Sequence, residues 1–308
     1  MAKLTGKAAL AERGDRAVNI TINAILVFAC IMVIYPLWFV LIASVSDPRA
    51  ISMGKVFLWP VDFTFDGYGI MGNYPEIWTG YFNTLCYAAI GTVWGLFKLI
   101  PAGFALSRPE LPGRRWITLF FMLTLYFNGG MVPRFVLITN IGWYNHPASI
   151  LFTSGIAASS LVVVRSFFMS NIPESLFDAA RVDGCSITHF FIRVVVPLSG
   201  SIIAIQALFI VQGYWNQYLE AKMYLKNRDY WTLQQVVRTI TESASSSNDI
   251  IDPGLMDPDE LERYERAQRE KALLKYSVVI VSAVPMIIIY PFIQRHFVKG
   301  IMVGAVKG

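Results

Sequence analysis

The stretch NIPESLFDAARVDGCSITHFFIRVVVP, Asn171 to Pro197, is a polar interruption in an otherwise apolar chain. Pro173 followed by Glu174 starts a helix, because proline loses no needed donor in the first turn and the acid meets the positive helix end. Gly184 is the stop, able to take the left-handed conformation that ends helices. Ser186 caps a second short helix running toward Pro197. The spacing of Leu176, Phe177 and Ala180 puts them on one side of the first helix. Ala179 and Ala180 are small enough to let another surface approach closely. The segment therefore reads as a helix-turn-helix lying against a membrane face.

Working outward, both flanks are long and apolar, Ser149–Met169 before it and Val194–Tyr218 after it. Four more such runs complete the pattern: Val18–Ser44, Asn83–Leu106, Trp116–Thr139 and Leu274–Val298. A bilayer core about 30 Å thick needs ~20 apolar residues per helix. Backbone groups left unpaired in lipid cost several kcal/mol each, so these runs are predicted to be helices. Composition agrees, with 55% hydrophobic residues and 15% charged, against roughly 25% charged in a soluble domain. The fold class expected is an all-α membrane protein of six transmembrane helices. The first run is too long for a signal peptide, whose apolar region spans about 7–15 residues. Cys30, Cys86 and Cys185 are too isolated to form a disulfide framework.

Charge sets the expected orientation. With both termini on the cytoplasmic side, the inner flanks hold Lys3, Lys7, Arg13, Arg16, Arg108, Arg114, Arg115, Arg165, Arg181, Arg193, Arg295, Lys299 and Lys307. The short outer loops hold only Arg49 and Lys55, which is the positive-inside pattern. The layout is then a cytoplasmic segment 1–17, a transmembrane domain 18–298 and a cytoplasmic tail 299–308. External loops cover 45–80 and 219–273, and the cytoplasmic helix-turn-helix covers 171–193. In the long loop, Ser243–Ser247 read as a turn. Asp257, Pro258, Asp259 and Glu260 read as the start of an external helix running into the last span. Glu262 with Arg266 and Glu265 with Arg269 have i,i+4 spacing. Lys98, Arg134 and Arg165 lie near span ends and read as snorkelling cations.

The polar segment then carries a specific resemblance. Asp178-Ala179-Ala180, three residues, Gly184, nine residues and Val194-Val195-Val196-Pro197 match the "EAA" loop of binding-protein-dependent ABC importer permeases, with Asp for Glu and Val at the aliphatic positions. The chain is similar along most of its length to the sugar-importer branch, the second permease of the maltose importer included. Tyr35-Pro36-Leu37, Asn83-Thr84-Leu85, Ala105-Leu106-Ser107-Arg108, Pro112-Gly113-Arg114, Trp215-Asn216 and Gly304-Ala305-Val306-Lys307-Gly308 all resemble it. Phe127-Asn128-Gly129-Gly130 with Pro133 resembles the subgroup moving oligosaccharides or polysaccharide fragments.

That resemblance implies a type I importer permease in a bacterial inner membrane. Its implied partners are a homologous six-helix permease, an ATPase dimer, an extracytoplasmic sugar-binding protein and membrane lipid, with no role for nucleic acid. It implies that Glu174, Phe177, Asp178, Ala179, Ala180, Arg181, Gly184 and Pro197 serve ATPase coupling, and that the Lys307-Gly308 tail reaches the ATPase too. The chain lacks the Gly-x-x-x-x-Gly-Lys-[Ser/Thr] loop, so ATP and Mg belong to a partner and no cofactor is expected here. A sugar pathway needs hydroxyl partners and stacking surfaces, which Gln206, Gln212, Tyr214, Trp215, Asn216, Gln217, Asn83, Tyr87, Tyr126 and Asn128 supply. Interhelical hydrogen bonding is the alternative use of Gln206, Gln212 and Asn216. A sodium-coupled secondary transporter is the main rival. Proton coupling normally uses an intramembrane acid, and none of the six runs contains Asp or Glu. An enzyme is disfavoured, because His146, His189 and His296 lack metal-ligand spacing.

Overall fold

The computed structural model describes residues 6–127, 129–246 and 257–305. Among them every regular element is helical: α1 (Gly6–Ala43), α2 (Pro48–Ser52), α3 (Asp66–Gly72), α4 (Pro75–Ser107), α5 (Arg114–Tyr126), α6 (Met131–Asn140), α7 (Ala148–Leu151), α8 (Ala158–Asn171), α9 (Glu174–Val182), α10 (Ile187–Phe190), a π turn (Phe191–Val195), α11 (Val196–Leu198), α12 (Gly200–Trp215), α13 (Leu219–Tyr224), a 3-10 turn (Arg228–Tyr230), α14 (Leu233–Ser246) and α15 (Pro258–Ala305). Three stretches are long and apolar enough to cross a membrane as single helices: Val18–Ala43, Pro75–Ser107 and Pro258–Pro291. Counting two bent pairs, α5 with α6 and Ile187–Leu198 with α12, brings the number to five among the described residues.

Three of the six expected spans are therefore not simple rods. Trp116–Thr139 is split between α5 and α6 at residues 127–130. The fourth run is shared by the four-residue α7 and the 14-residue α8, with irregular backbone at residues 152–157. Such backbone is tolerated at membrane depth only where protein or a wet cavity satisfies it. The fifth run bends by 80° at Ser199, so its membrane helix begins at Gly200 and not at Val194. Ser243–Ser246 also differ from expectation, since α14 continues through them.

The chain divides into two compact units, Met1–Asn73 with Ile240–Val281 and Tyr74–Thr239 with Ser282–Gly308. In the first, Ile42, Ala50 and Val56 form a small core. Asp47 caps α2 through Arg49 N at 2.9 Å, and Ser44 Oγ lies 2.8 Å from Tyr68 OH. The described residues of α1 are almost entirely exposed along their apolar span, with Phe28 64% and Val33 65% accessible. A surface of that kind is stable only against lipid or another apolar partner. The expected Glu262–Arg266 pair forms at 3.0 Å. Glu265 and Arg269 do not pair with each other; Glu265 meets Arg49 at 3.2 Å and Arg269 meets Asp47 at 3.7 Å. These groups are exposed enough that each pair stabilises little.

The second unit is organised by α4. Gly80, Gly91, Gly95 and Gly103 present no side chain, which lets neighbours approach the α4 backbone. A Cβ at Gly91 would fall 2.2 Å from the Tyr214 ring of α12, and one at Gly103 would fall 2.4 Å from Val164 Cγ1 of α8. Packing of this small-residue type is how helices associate where the surroundings offer no hydrophobic drive. Thr84 Oγ1 accepts Leu233 N at 2.8 Å, fastening the start of α14 to α4. Two cores follow. One joins α4, α8, α9 and α10 through Leu99, Phe104, Leu161, Phe168, Phe177 and Phe190. The other joins Tyr87, Ile138, Ile150, Tyr214, Tyr224 and Leu225.

Gly103→Ala should lower the stability of the purified protein by about 1–3 kcal/mol, because β-branched Val164 is stiff and cannot swing aside. Gly95→Ala should cost less, since its nearest neighbour is the flexible end of Ile210 at 2.9 Å. Thermal unfolding of the two variants side by side checks the order.

Candidate coupling loop and translocation cavity

The polar interruption folds as a helix-turn-helix. Helix α9 starts after Pro173, with Glu174 in its first turn. Its end is a Schellman motif, in which Cys185 N donates to Ala180 O at 2.9 Å and Gly184 N to Arg181 O at 3.0 Å. The motif needs a left-handed residue after the helix, and Gly184 sits at φ +74°. Ser186 Oγ then accepts His189 N at 3.3 Å to cap α10. The π turn follows directly, and its wider ladder carries the chain into Pro197, which has no N–H to give.

The two faces of α9 have different tasks. Phe177 is 4% exposed and packs edge-on to Phe190 with ring centroids 5.4 Å apart. Leu176, Ala180 and Cys185 pack against the same core. The Arg108 guanidinium lies over the Phe177 ring at 4.5 Å and over Phe104 at 5.2 Å. Phe177 and Ala180, expected at the ATPase contact, thus turn into the chain's own core and hold the loop in place. Glu174, Asp178, Ala179, Arg181 and Gly184 are exposed. Val182, absent from the expected set, is 88% exposed beside them. Its signal was present in the sequence, since Val182 follows Asp178 by four positions on the same helix face. Pro197 is exposed but lies beyond the turn, at the base of α12.

A cavity of about 340 Å³ opens among α4, α8, α12 and the irregular 152–157 segment. Gly91 and Gly95 of α4 and Gly213 of α12 leave its space, and Lys98, Ser154, Ser160, Tyr214, Gln217 and Glu220 supply its polar lining. Lys98 Nζ donates to Ser154 O and sits 5.3 Å from the Trp94 ring. That corrects the snorkelling reading of Lys98: its ammonium turns inward and fastens the irregular backbone. Arg134 does not snorkel either, being paired with Glu220 and donating to Thr153 Oγ1 at 3.3 Å. Gln217 Nε2 donates to Glu220 Oε2 at 2.7 Å. Arg165 Nε donates to Leu106 O at 3.0 Å.

The expected pathway residues separate accordingly. Tyr214 and Gln217 line the cavity, with the Tyr214 hydroxyl donating to Leu151 O at 3.1 Å. Asn83 Nδ2 donates to Asp229 O at 2.6 Å and to Trp231 O at 3.1 Å. Tyr87 OH donates to Tyr230 O at 3.1 Å. These two residues secure the loop around the 3-10 turn and do not line the cavity. Trp215 is buried, its Nε1 donating to Ser282 O at 3.1 Å. Gln206 is 1% exposed, while Gln212, Asn216 and Tyr126 face outward from the chain. Asn128 and the Lys307-Gly308 tail lie outside the described residues. Lys98 and Glu220 were missed as lining residues. The signal for Lys98 was a charge inside an apolar run, which marks function by default.

Comparison with known proteins places these features in one family. Residues 99–303 match the family described as binding-protein-dependent transport system inner membrane component. The chain is 30% identical to the polygalacturonan/rhamnogalacturonan transport system permease protein YtcP of Bacillus subtilis (strain 168), over 96% of this chain and 99% of that one. It is 24% identical to the arabinooligosaccharides transport system permease protein AraQ of Halalkalibacterium halodurans, over 91% of this chain and 94% of that one. A crystal structure of a bacterial ABC transporter involved in the import of the acidic polysaccharide alginate superposes with a TM-score of 0.82 at 26% identity, covering 96% of this chain and all of the matched chain. The family match covers the helix-turn-helix and most of the cavity lining, and the chain belongs to the family of binding-protein-dependent transport system inner membrane components.

Proposed function

We propose that this chain is the permease subunit of an ATP-driven importer of oligosaccharides, forming half of the translocation pathway and taking its drive from a separate ATPase. The observation that carries the reading is the two-faced α9. Its inner face is anchored by Phe177, and its outer face offers Glu174, Asp178, Ala179 and Val182. Burying a Phe side chain stabilises by roughly 1.5–3 kcal/mol, so α9 and the ends of α4 and α10 move together when α9 is pulled. Closure of an ATPase dimer around ATP would displace α9, and the common core would pass that displacement to α4 and α8. The names of the polygalacturonan/rhamnogalacturonan and arabinooligosaccharide permeases and of the alginate importer support an oligosaccharide cargo. In this reading α9 faces the cytoplasm, as do both termini. A homologous permease completes the pathway, and an extracytoplasmic binding protein delivers substrate to the outer loops.

The cavity beside α4 is the candidate stretch of pathway within this chain. Its polar lining of hydroxyls, amide, ammonium and carboxylate suits a sugar better than an apolar solute. Reconstituting the chain with its partner permease, ATPase and binding protein tests the whole reading. ATP hydrolysis should rise when the loaded binding protein is added, with uptake of its oligosaccharide. Uptake driven by a sodium gradient without ATP would replace it with the secondary-transporter reading.

Two variant sets follow. Val182→Glu and Asp178→Lys should leave the protein folded and inserted but reduce ATPase co-purification and transport together. Phe177→Ala should instead destabilise the loop by about 3–5 kcal/mol, read as earlier proteolysis of the 171–197 segment. Gly213 has open space around it, so Gly213→Phe should fill the cavity. Most transport should then be lost, while stimulation of ATP hydrolysis by the binding protein persists.

A further inference from the structure

Between the start of α5 and α8 lies another cavity, about 640 Å³, walled by Arg114, Arg115, Trp116, Thr118 and Arg165. Three guanidinium groups share it, and among the described residues none of them forms an ion pair. Arg165 uses its Nε on Leu106 O. Arg114 reaches only a thioether, Met169 Sδ at 3.9 Å, which is a weak acceptor. The Thr118 hydroxyl is buried without a hydrogen-bond partner in the same wall. No carboxylate lines the cavity. Like charges are held together here with most of their donors unused, and a planar guanidinium fork matches a phosphate in both charge and geometry.

The chemistry changes just along the helix. No residue of α5 is buried. Trp116 is 73% exposed, Phe120 64% and Leu123 47%. A soluble anion would satisfy the arginines and leave this apolar surface bare, and an acidic protein patch would do the same. An amphiphile covers both. We propose that this pocket binds the phosphate headgroup of an anionic phospholipid, whose acyl chains lie along α5. The proposal draws on the permease reading only in placing α5 in the bilayer.

The test uses the assembled transporter, delipidated in detergent and then offered dioleoylphosphatidylglycerol or dioleoylphosphatidylcholine, with retained lipid counted by native mass spectrometry. The wild type should retain phosphatidylglycerol and not phosphatidylcholine. R114Q/R115Q should bind phosphatidylglycerol roughly thirtyfold more weakly at low salt, the combined effect of two arginines near an anionic surface. Arg115→Gln alone, at an exposed position, should give an intermediate loss without risk to folding. Equal retention by the double variant, or no preference between the two lipids, overturns the proposal. Displacement by millimolar inorganic phosphate makes the site one for soluble anions and overturns it as well. So does loss of the ATPase subunits from the double variant with lipid retention intact, which marks a protein contact. Failure of ATPase subunits to accompany the wild type would count against the permease reading, and the lipid measurement would still stand.

Discussion

Much of the second unit depends on how closely other helices can approach α4. In water, helices associate because burying apolar side chains releases ordered solvent. In lipid that drive is absent, and contact area and hydrogen bonds must suffice. Gly91 and Gly103 meet this constraint by removing side chains where Tyr214 and Val164 press in. Polar residues on the same helix then use the proximity. Asn83, Thr84 and Tyr87 tie down the 229–233 segment, and Lys98 holds the carbonyl of Ser154. One helix thereby positions the 229–233 segment, the cavity wall and, through Phe104, the seat of α9.

That arrangement gives α9 a firm attachment to the rest of its unit. A nine-residue helix in isolation would be marginal, since helix nucleation is unfavourable and short helices recover little of that cost. Here α9 is held by the buried Phe177, by a Schellman end that leaves no choice of turn, and by Arg108 lying across the Phe177 ring. Cation–π contacts of this type contribute about 0.5–2 kcal/mol, depending on how far they are desolvated. The exposed face of α9 is thus backed by an aromatic core.

The cavity illustrates how membrane proteins handle broken helices. The backbone at residues 152–157 is irregular, yet its Ser154 carbonyl is met by Lys98, and the carbonyl of Leu151, at the end of α7 just before it, by the Tyr214 hydroxyl. Arg134 and Glu220 neutralise each other at its rim, and Gln217 extends that pair into the lining. The charges that look costly in an apolar run are the groups that make the break possible.

The turn at Gly184, the start of α9 at Pro173 and the apolar character of the long runs were legible in the sequence, because each follows from chemistry within a few residues of itself. Glycine takes positive φ, proline suits a first turn, and ~20 apolar residues fit a bilayer. The EAA-type spacing from Asp178 to Pro197 was legible in a different way, as a resemblance to a known family. Other features required the fold. Phe177 and Val182 lie five positions apart and so on different faces of one short helix, but which of those faces is buried is decided by the position of Phe190 and Phe104. Whether Lys98 reaches for solvent or for Ser154 depends on where a segment some 56 positions away passes. Continuity of the third, fourth and fifth runs was likewise undecided by hydropathy, which counts apolar residues but does not register a bend or a gap once neighbouring helices satisfy the freed backbone groups.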